Sequence, residues 1–222
     1  MQPKFGQKDV EIIGEDSVYQ GFHRIKRIQL KHRLYSGGWS EVVDREVSDK
    51  GSAASVVVYD PQRESVCLVE QFRIATFQPE QSDKSPWSTE IVAGMIDKEG
   101  ELPEAVVRRE LMEEAGLEAA YLEKITSYWV TPGGSSARMH IFVALCDLSD
   151  AGGIYGLDDE HEDILALVVP LKTVYQSALV EESSNAATLI GLQWLTSNQK
   201  RMYHIWQDSL LSKKGKQENC DL

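Results

Sequence analysis

In the stretch RRELMEEAGL, residues 108–117, three carboxylates stand where helix electrostatics oppose them. Pro103 suits a first helical position and Gly116 a left-handed residue just past the end, so the spacing predicts a helix between them. Glu110, Glu113 and Glu114 then occupy its last two turns. There the macrodipole is negative, and each carboxylate costs about 0.3–1 kcal/mol. At roughly 100° per residue, the i,i+3 and i,i+4 spacings from Glu110 gather all three on one patch. Carboxylates that repel one another in water are oxygen ligands for a hard divalent cation such as Mg²⁺ or Mn²⁺, which also binds phosphate oxygens. The competing reading is a solvated Glu-rich face, and Glu113–Glu114 alone would be read that way.

A second cluster, GLDDEHED at 156–163, holds five acidic residues after a glycine. By composition it is a solvated loop. Metal-assisted hydrolysis, however, needs a group that positions or deprotonates water, and a carboxylate outside the ligand set suits that task. His161, whose ordinary pKa is near neutral, is a further candidate.

The elements that must position these groups follow from pattern. DVEIIG, FHRIKRIQLKHRL and SEVVDREVS read as strands, with YSGGW as a turn between the second and third. AASVVVYD and ESVCLVEQFRI follow, joined by the hairpin connection DPQRE. Residues 78–86 form an exposed loop, and WSTEIVAG is a strand leading to the charged helix. Strands at 121–129 and 138–146 and the run EDILALVVP come next. Asn185 is an N-cap for a helix on which Ala186, Leu189, Ile190 and Trp194 recur at helical spacing, and the tail SKKGKQENCDL is frayed.

Composition narrows the function classes. With 42% apolar residues the chain is an ordinary globular protein, and its longest apolar run, ILALVVPL, is too short to span a bilayer. The N-terminus has no apolar secretory region. A net charge of −12 argues against nucleic acid and anionic membranes as partners, although cations and a few arginines still admit a small phosphorylated substrate. Cys67, Cys146 and Cys220 have no metal-type spacing and read as reduced thiols of a cytoplasmic protein.

From Gly94 the pattern is a spacer, Glu101, seven residues, and then Arg-Glu-Leu-x-Glu-Glu-x-Gly-Leu from Arg109. This resembles the Nudix box, the signature of hydrolases that act on a nucleoside diphosphate linked to another moiety. One departure is that the spacer MIDKEG holds six residues where the family has five. The similarity extends over YQGFHRIK, REVSDKG, VEQFRIA, EIVAGMI, TPGGSS, GLDDEHEDI and NAATLIGLQWL, and within the family it is to bacterial members acting on ADP-ribose. Pro132, fifteen residues after Leu117, stands where those members carry a proline.

The resemblance implies an α/β fold, the Nudix α/β/α sandwich with a mixed β-sheet, preceded by a small N-terminal β-rich segment. It divides the chain into a dimerisation segment at 1–50, a hydrolase domain at 51–211 and a polar tail at 212–222. Glu110, Glu113, Glu114 and Glu162, with the carbonyl of Ala93, are implied as ligands of two or three Mg²⁺ ions, with Mn²⁺ as a substitute. Glu101 and Arg109 are implied to pair and hold the loop–helix–loop in shape. Glu160 is the implied general base. Phe22 would stack on adenine, Arg45 and Arg73 would lie near the adenosine diphosphate end, and Gly133 and Met95 would also touch substrate. The plainer alternatives are core for Phe22 and surface charge for the arginines. Relatives often carry a carboxylate at the position of Ala137, so the substrate contact that the resemblance implies there, on the terminal ribose side, does not carry over to this residue.

The expected reaction is Mg²⁺-dependent hydrolysis of ADP-ribose to AMP and ribose 5-phosphate by a homodimer with shared active sites. Rival readings are a hydrolase of a GDP-sugar, an ADP-sugar or NADH, and a sensing module that binds ADP-ribose without cleaving it. The intact glutamates favour an enzyme.

Overall fold

The computed structural model describes residues 3–81, 84–176 and 185–218, with side chains through Ser209. Two compact units divide the chain, one formed by Met1–Ser52 with Tyr128–Met139 and the other by Ala53–Ser127 with His140–Leu222.

The N-terminal unit contains an antiparallel sheet in the order β1 (Val10–Gln20), β2 (Arg24–His32), β3 (Val43–Asp49). Strand β1 runs six residues past Gly14, where the sequence places its end, because register shifts at Ile12/Gly14 and Ser17/Tyr19 absorb the glycine and let pairing continue to Gln20↔Arg24. Between β2 and β3, Gly37 and Gly38 take φ of 99° and 76°, the left-handed conformations the YSGGW turn requires.

The larger unit is built on an eight-stranded mixed sheet. Its central pair is the hairpin β4 (Ala53–Asp60) and β5 (Ser65–Phe72), joined at Pro61–Glu64 as DPQRE predicts. The main path runs β10 (Gly153–Tyr155), β11 (Ile164–Pro170), β5, β4, β9 (Arg138–Leu145), β8 (Tyr121–Trp129). WSTEIVAG does not form one strand. It breaks at Ile91 into β6 (Trp87–Glu90), paired with β5, and β7 (Val92–Met95), paired with β4. The chain thereby crosses from one central strand to the next just before the charged helix.

That helix, α1 (Pro103–Ala115), lies against one face of the sheet. Val106, Val107, Leu111 and Ala115 pack with Val56, Val58, Val92, Phe142 and Ile164. On the other face, a Cβ added at Gly191 would meet the side chains of Val57, Ile91 and Ile141, so α3 (Ala186–Glu218) packs there at glycine distance. Covered on both sides, β4 can be apolar at successive positions, and Val56, Val57 and Val58 are all fully buried. At about 1.5–3 kcal/mol for each buried aliphatic side chain, this strand is the anchor on which the site is mounted.

A short helix α2 (Leu171–Gln176) follows β11. Asn185 caps α3 as predicted, its Oδ1 accepting the Thr188 N–H at 2.9 Å. The helix continues to Glu218, through much of the segment read as a frayed tail, while Cys220 lies outside the described residues. Cys67 and Cys146 are buried, and desolvation pushes their thiols up to about 11 and 12. No described helix is long and apolar enough to cross a membrane.

Candidate metal and diphosphate site

The carboxylate helix ends in a Schellman-type cap. Gly116 has φ 62°, its N–H reaches Met112 O at 3.1 Å, and the Leu117 N–H reaches Leu111 O at 3.0 Å. The Leu111 and Met112 carbonyls are therefore satisfied without a basic side chain, which leaves this end of the helix to the glutamates. Glu114 is 2% exposed and Glu110 is 8% exposed. A β-carbon at Gly94 would stand 1.8 Å from Glu110 Oε1, so the glycine opens the space into which this carboxylate reaches. The Ala93 N–H donates to Glu114 Oε2 at 3.1 Å, tying β7 to the helix end.

Burial pushes Glu110 up to about 7 and Glu114 up to about 8. Neighbouring carboxylates push the same way: Glu113, Glu162 and Glu160 on Glu110, and Glu110 and Glu162 on Glu114. The helix cluster and the 156–163 loop, separate in sequence, thus share one negative field. Gly156 docks the loop, its N–H donating to Glu113 O at 3.2 Å. Its φ of 111° and the Glu162 Cβ only 2.8 Å from an added methyl make it a place for glycine alone. Glu162 Oε2 accepts the Leu157 N–H at 3.3 Å, closing the loop on itself, and Glu160 is exposed at the end of the turn Asp158–Glu160.

Arg109 stands at the centre of the helix carboxylates. Its Nη1 lies 2.7 Å from Glu110 Oε1 and 3.0 Å from Glu113 Oε2, and its Nη2 lies 3.4 Å from Met95 O. The predicted Glu101 contact is there but looser, with Nε 3.6 Å from Oε1, and neither Arg109 Nε nor Glu101 Oε2 makes a hydrogen bond. Among the described residues no three His, Cys, Asp or Glu side chains are grouped to hold a metal ion as they stand. Here the guanidinium supplies the positive charge between Glu110 and Glu113. The donor chemistry still suits hard cations, because the acids that converge are all carboxylates and two are buried, at a cost to their charged form that a cation would offset.

Arg73 follows β5 and donates through Nε and Nη2 to the two oxygens of Glu90, at 3.3 and 2.9 Å. Glu90 was not singled out by sequence reasoning. Its signal is a carboxylate directly before the buried pair Ile91–Val92. The remaining candidates belong to the N-terminal unit. Phe22, in the β1–β2 turn, is 82% exposed, which removes the core alternative. Arg45 lies on β3 opposite Ile28 and donates to the Asp44 carbonyl at 2.8 Å. Gly133 lies in the Thr131–Gly134 turn, and Ala137 is buried.

Residues 49–188 match the family model described as NUDIX domain. The chain is 46% identical over 206 residues to an ADP-ribose pyrophosphatase of Haemophilus influenzae, covering 92% of this chain and 94% of that protein. It is 42% identical over 202 residues to an ADP-ribose pyrophosphatase of Escherichia coli K12, with 91% and 95% covered. A GDP-mannose pyrophosphatase of Klebsiella pneumoniae is 35% identical over 159 residues, with 69% and 75% covered. The crystal structure of an ADP compounds hydrolase superposes with a TM-score of 0.62 at 19% identity, covering 88% of this chain and 98% of that one, and shares the fold. With a family model spanning the sheet and the carboxylate helix, and relatives matched along nearly their whole length, the chain belongs to the Nudix family.

Proposed function

We propose that the protein hydrolyses the diphosphate of ADP-ribose to AMP and ribose 5-phosphate. The observation that carries this reading is the joint negative field of the helix carboxylates and the 156–163 loop, on a chain whose ADP-ribose relatives match over nine-tenths of its length. The GDP-mannose relative is less identical and matches a shorter part of the chain.

Glu110, Glu113, Glu114 and Glu162, with the Ala93 carbonyl, would hold two or three Mg²⁺ ions, or Mn²⁺ in their place. When bound, such ions neutralise charge on the phosphate oxygens and lower the barrier to attack at phosphorus. Arg109 would release Glu110 and Glu113 and close on Glu101, whose second oxygen lacks a partner. Glu160, exposed and not engaged with Arg109, takes the proton from water as its oxygen bonds to phosphorus and the P–O–P bridge breaks. Arg73 and Met95 contact the diphosphate side. Phe22, Arg45 and Gly133 serve the adenosine portion in a cytoplasmic homodimer whose subunits share their active sites. Residues 1–50 act as the dimerisation segment, 51–211 as the hydrolase domain and 212–222 as a tail outside the chemistry.

The test is the release of AMP from ADP-ribose in Mg²⁺ beside GDP-mannose, NADH and ADP-glucose. ADP-ribose should have the highest kcat/KM, by about tenfold or more, the lower end of what differential transition-state binding supplies. A higher value for another compound would keep the chemistry and reject this substrate.

A further inference from the structure

We propose that Glu90 is a positioning residue that holds the Arg73 guanidinium for the substrate diphosphate, an inference that rests on the hydrolase reading above. Glu90 lies on β6 opposite Val69 of β5, and its side chain is only 7% exposed, whereas that of Arg73 is 41% exposed. Both Glu90 oxygens are engaged by one edge of the guanidinium, Nε and Nη2, in the fork-to-fork arrangement that fixes an arginine plane. A guanidinium has five N–H bonds, and these two contacts leave the Nη1 edge for another anion.

The pair is poorly explained by stability alone. Burying a carboxylate against an arginine costs desolvation that an apolar pair of similar volume would not incur. What the arrangement supplies is a cation with a set orientation. Glu114 and Glu162 also act electrostatically on Arg73, which puts it in the field of the carboxylates that would hold the metal. Three residues after Glu90, the Ala93 N–H binds Glu114, so one short segment fixes both the arginine and a helix carboxylate. The competing role is a strap for the 73–86 loop, where the Arg73 N–H also reaches Pro86 O at 2.9 Å.

A double-mutant cycle on ADP-ribose hydrolysis in Mg²⁺, using Glu90→Gln, Arg73→Ala and both together, tests whether Glu90 acts through Arg73. A thermal scan of the same variants separates these roles, because a mere strap would lower Tm and leave KM unchanged. If the wild type does not cleave ADP-ribose, the hydrolase reading fails before this one is reached. With an active wild type, Glu90→Gln should raise KM about tenfold or more and lower kcat much less, as expected when a shared ground-state and transition-state contact is loosened. In the Arg73→Ala background it should change kcat/KM less than twofold, because its effect runs through the arginine. Glu90→Asp, which keeps the charge but shortens the reach, should show the same dependence on background if Glu90→Gln does not fold. An unchanged KM in both variants, or an equal loss with and without Arg73, would overturn the proposal.

Discussion

Glu114 and Glu110 carry their protons more tightly folded than unfolded, at about 8 and about 7 against 4.5, through burial first and neighbouring carboxylates second. In metal-free protein the stability linked to them is fully present below about pH 4.5 and is lost as pH rises through those values. The Tm in EDTA should therefore fall between pH 5 and 9, and Glu114→Gln, which cannot ionise, should fall less steeply. Added Mg²⁺ should restore most of the wild-type loss at pH 8 and little of the variant's. Thermal scans across pH check this, and parallel curves for the two proteins would contradict it. Glu160→Gln should lower kcat by about 10²–10⁴-fold with little change in KM, the range for loss of a general base, as steady-state kinetics would show. At this scale the sequence made the helix carboxylates legible because i,i+3 and i,i+4 spacing fixes which side chains share a face. The hold of Arg109 on Glu110 and Glu113 was not legible, because a long side chain selects among several acids within reach only once the fold presents them.

The elements act through close backbone approach. Gly94 lets β7 pass the Glu110 side chain, and Gly156 lets the second acidic loop settle on α1. Gly94→Ala should displace Glu110 and reduce kcat/KM at least tenfold, with a Tm loss of several degrees for about 1–3 kcal/mol of overpacking. Kinetics and a thermal scan on the same preparation would test it, and wild-type kinetics would show that Glu110 need not occupy the space Gly94 leaves. The helix limits were readable from Pro103 and Gly116 because each fixes a backbone conformation. The division of WSTEIVAG was not, because both halves are extended and only their partners, β5 and β4, differ. The three-residue β10 escaped as well, since a strand so short has no periodicity to read.

For the whole molecule, the acidic balance and a mixed sheet covered by helices were legible, because strand patterns fill the first half of the chain and only a few segments have helical spacing. Assembly was expected from resemblance rather than from pattern. The N-terminal unit leaves Val10, Ile12, Ile13, Val18, Tyr19 and Phe22 exposed in one copy of the chain. A homodimer of 24.9 kDa chains would sediment at about 50 kDa. Ile12→Asp combined with Val18→Asp should shift it toward the monomer and lower ADP-ribose turnover together. A fully active monomer would remove the shared-site reading while leaving the carboxylate chemistry in place.

Whether hydrolysis depends on metal held by the buried carboxylates is tested most directly by AMP release from ADP-ribose by the wild type in Mg²⁺, compared with excess EDTA and with Glu114→Gln in Mg²⁺. Rapid release is expected only from the wild type with metal, with a loss of at least 10²–10³-fold in each of the other two, the scale of removing essential transition-state charge stabilisation. Release that survives both chelation and the substitution would contradict that dependence, because the buried carboxylates would then not be the metal-holding groups on which hydrolysis depends.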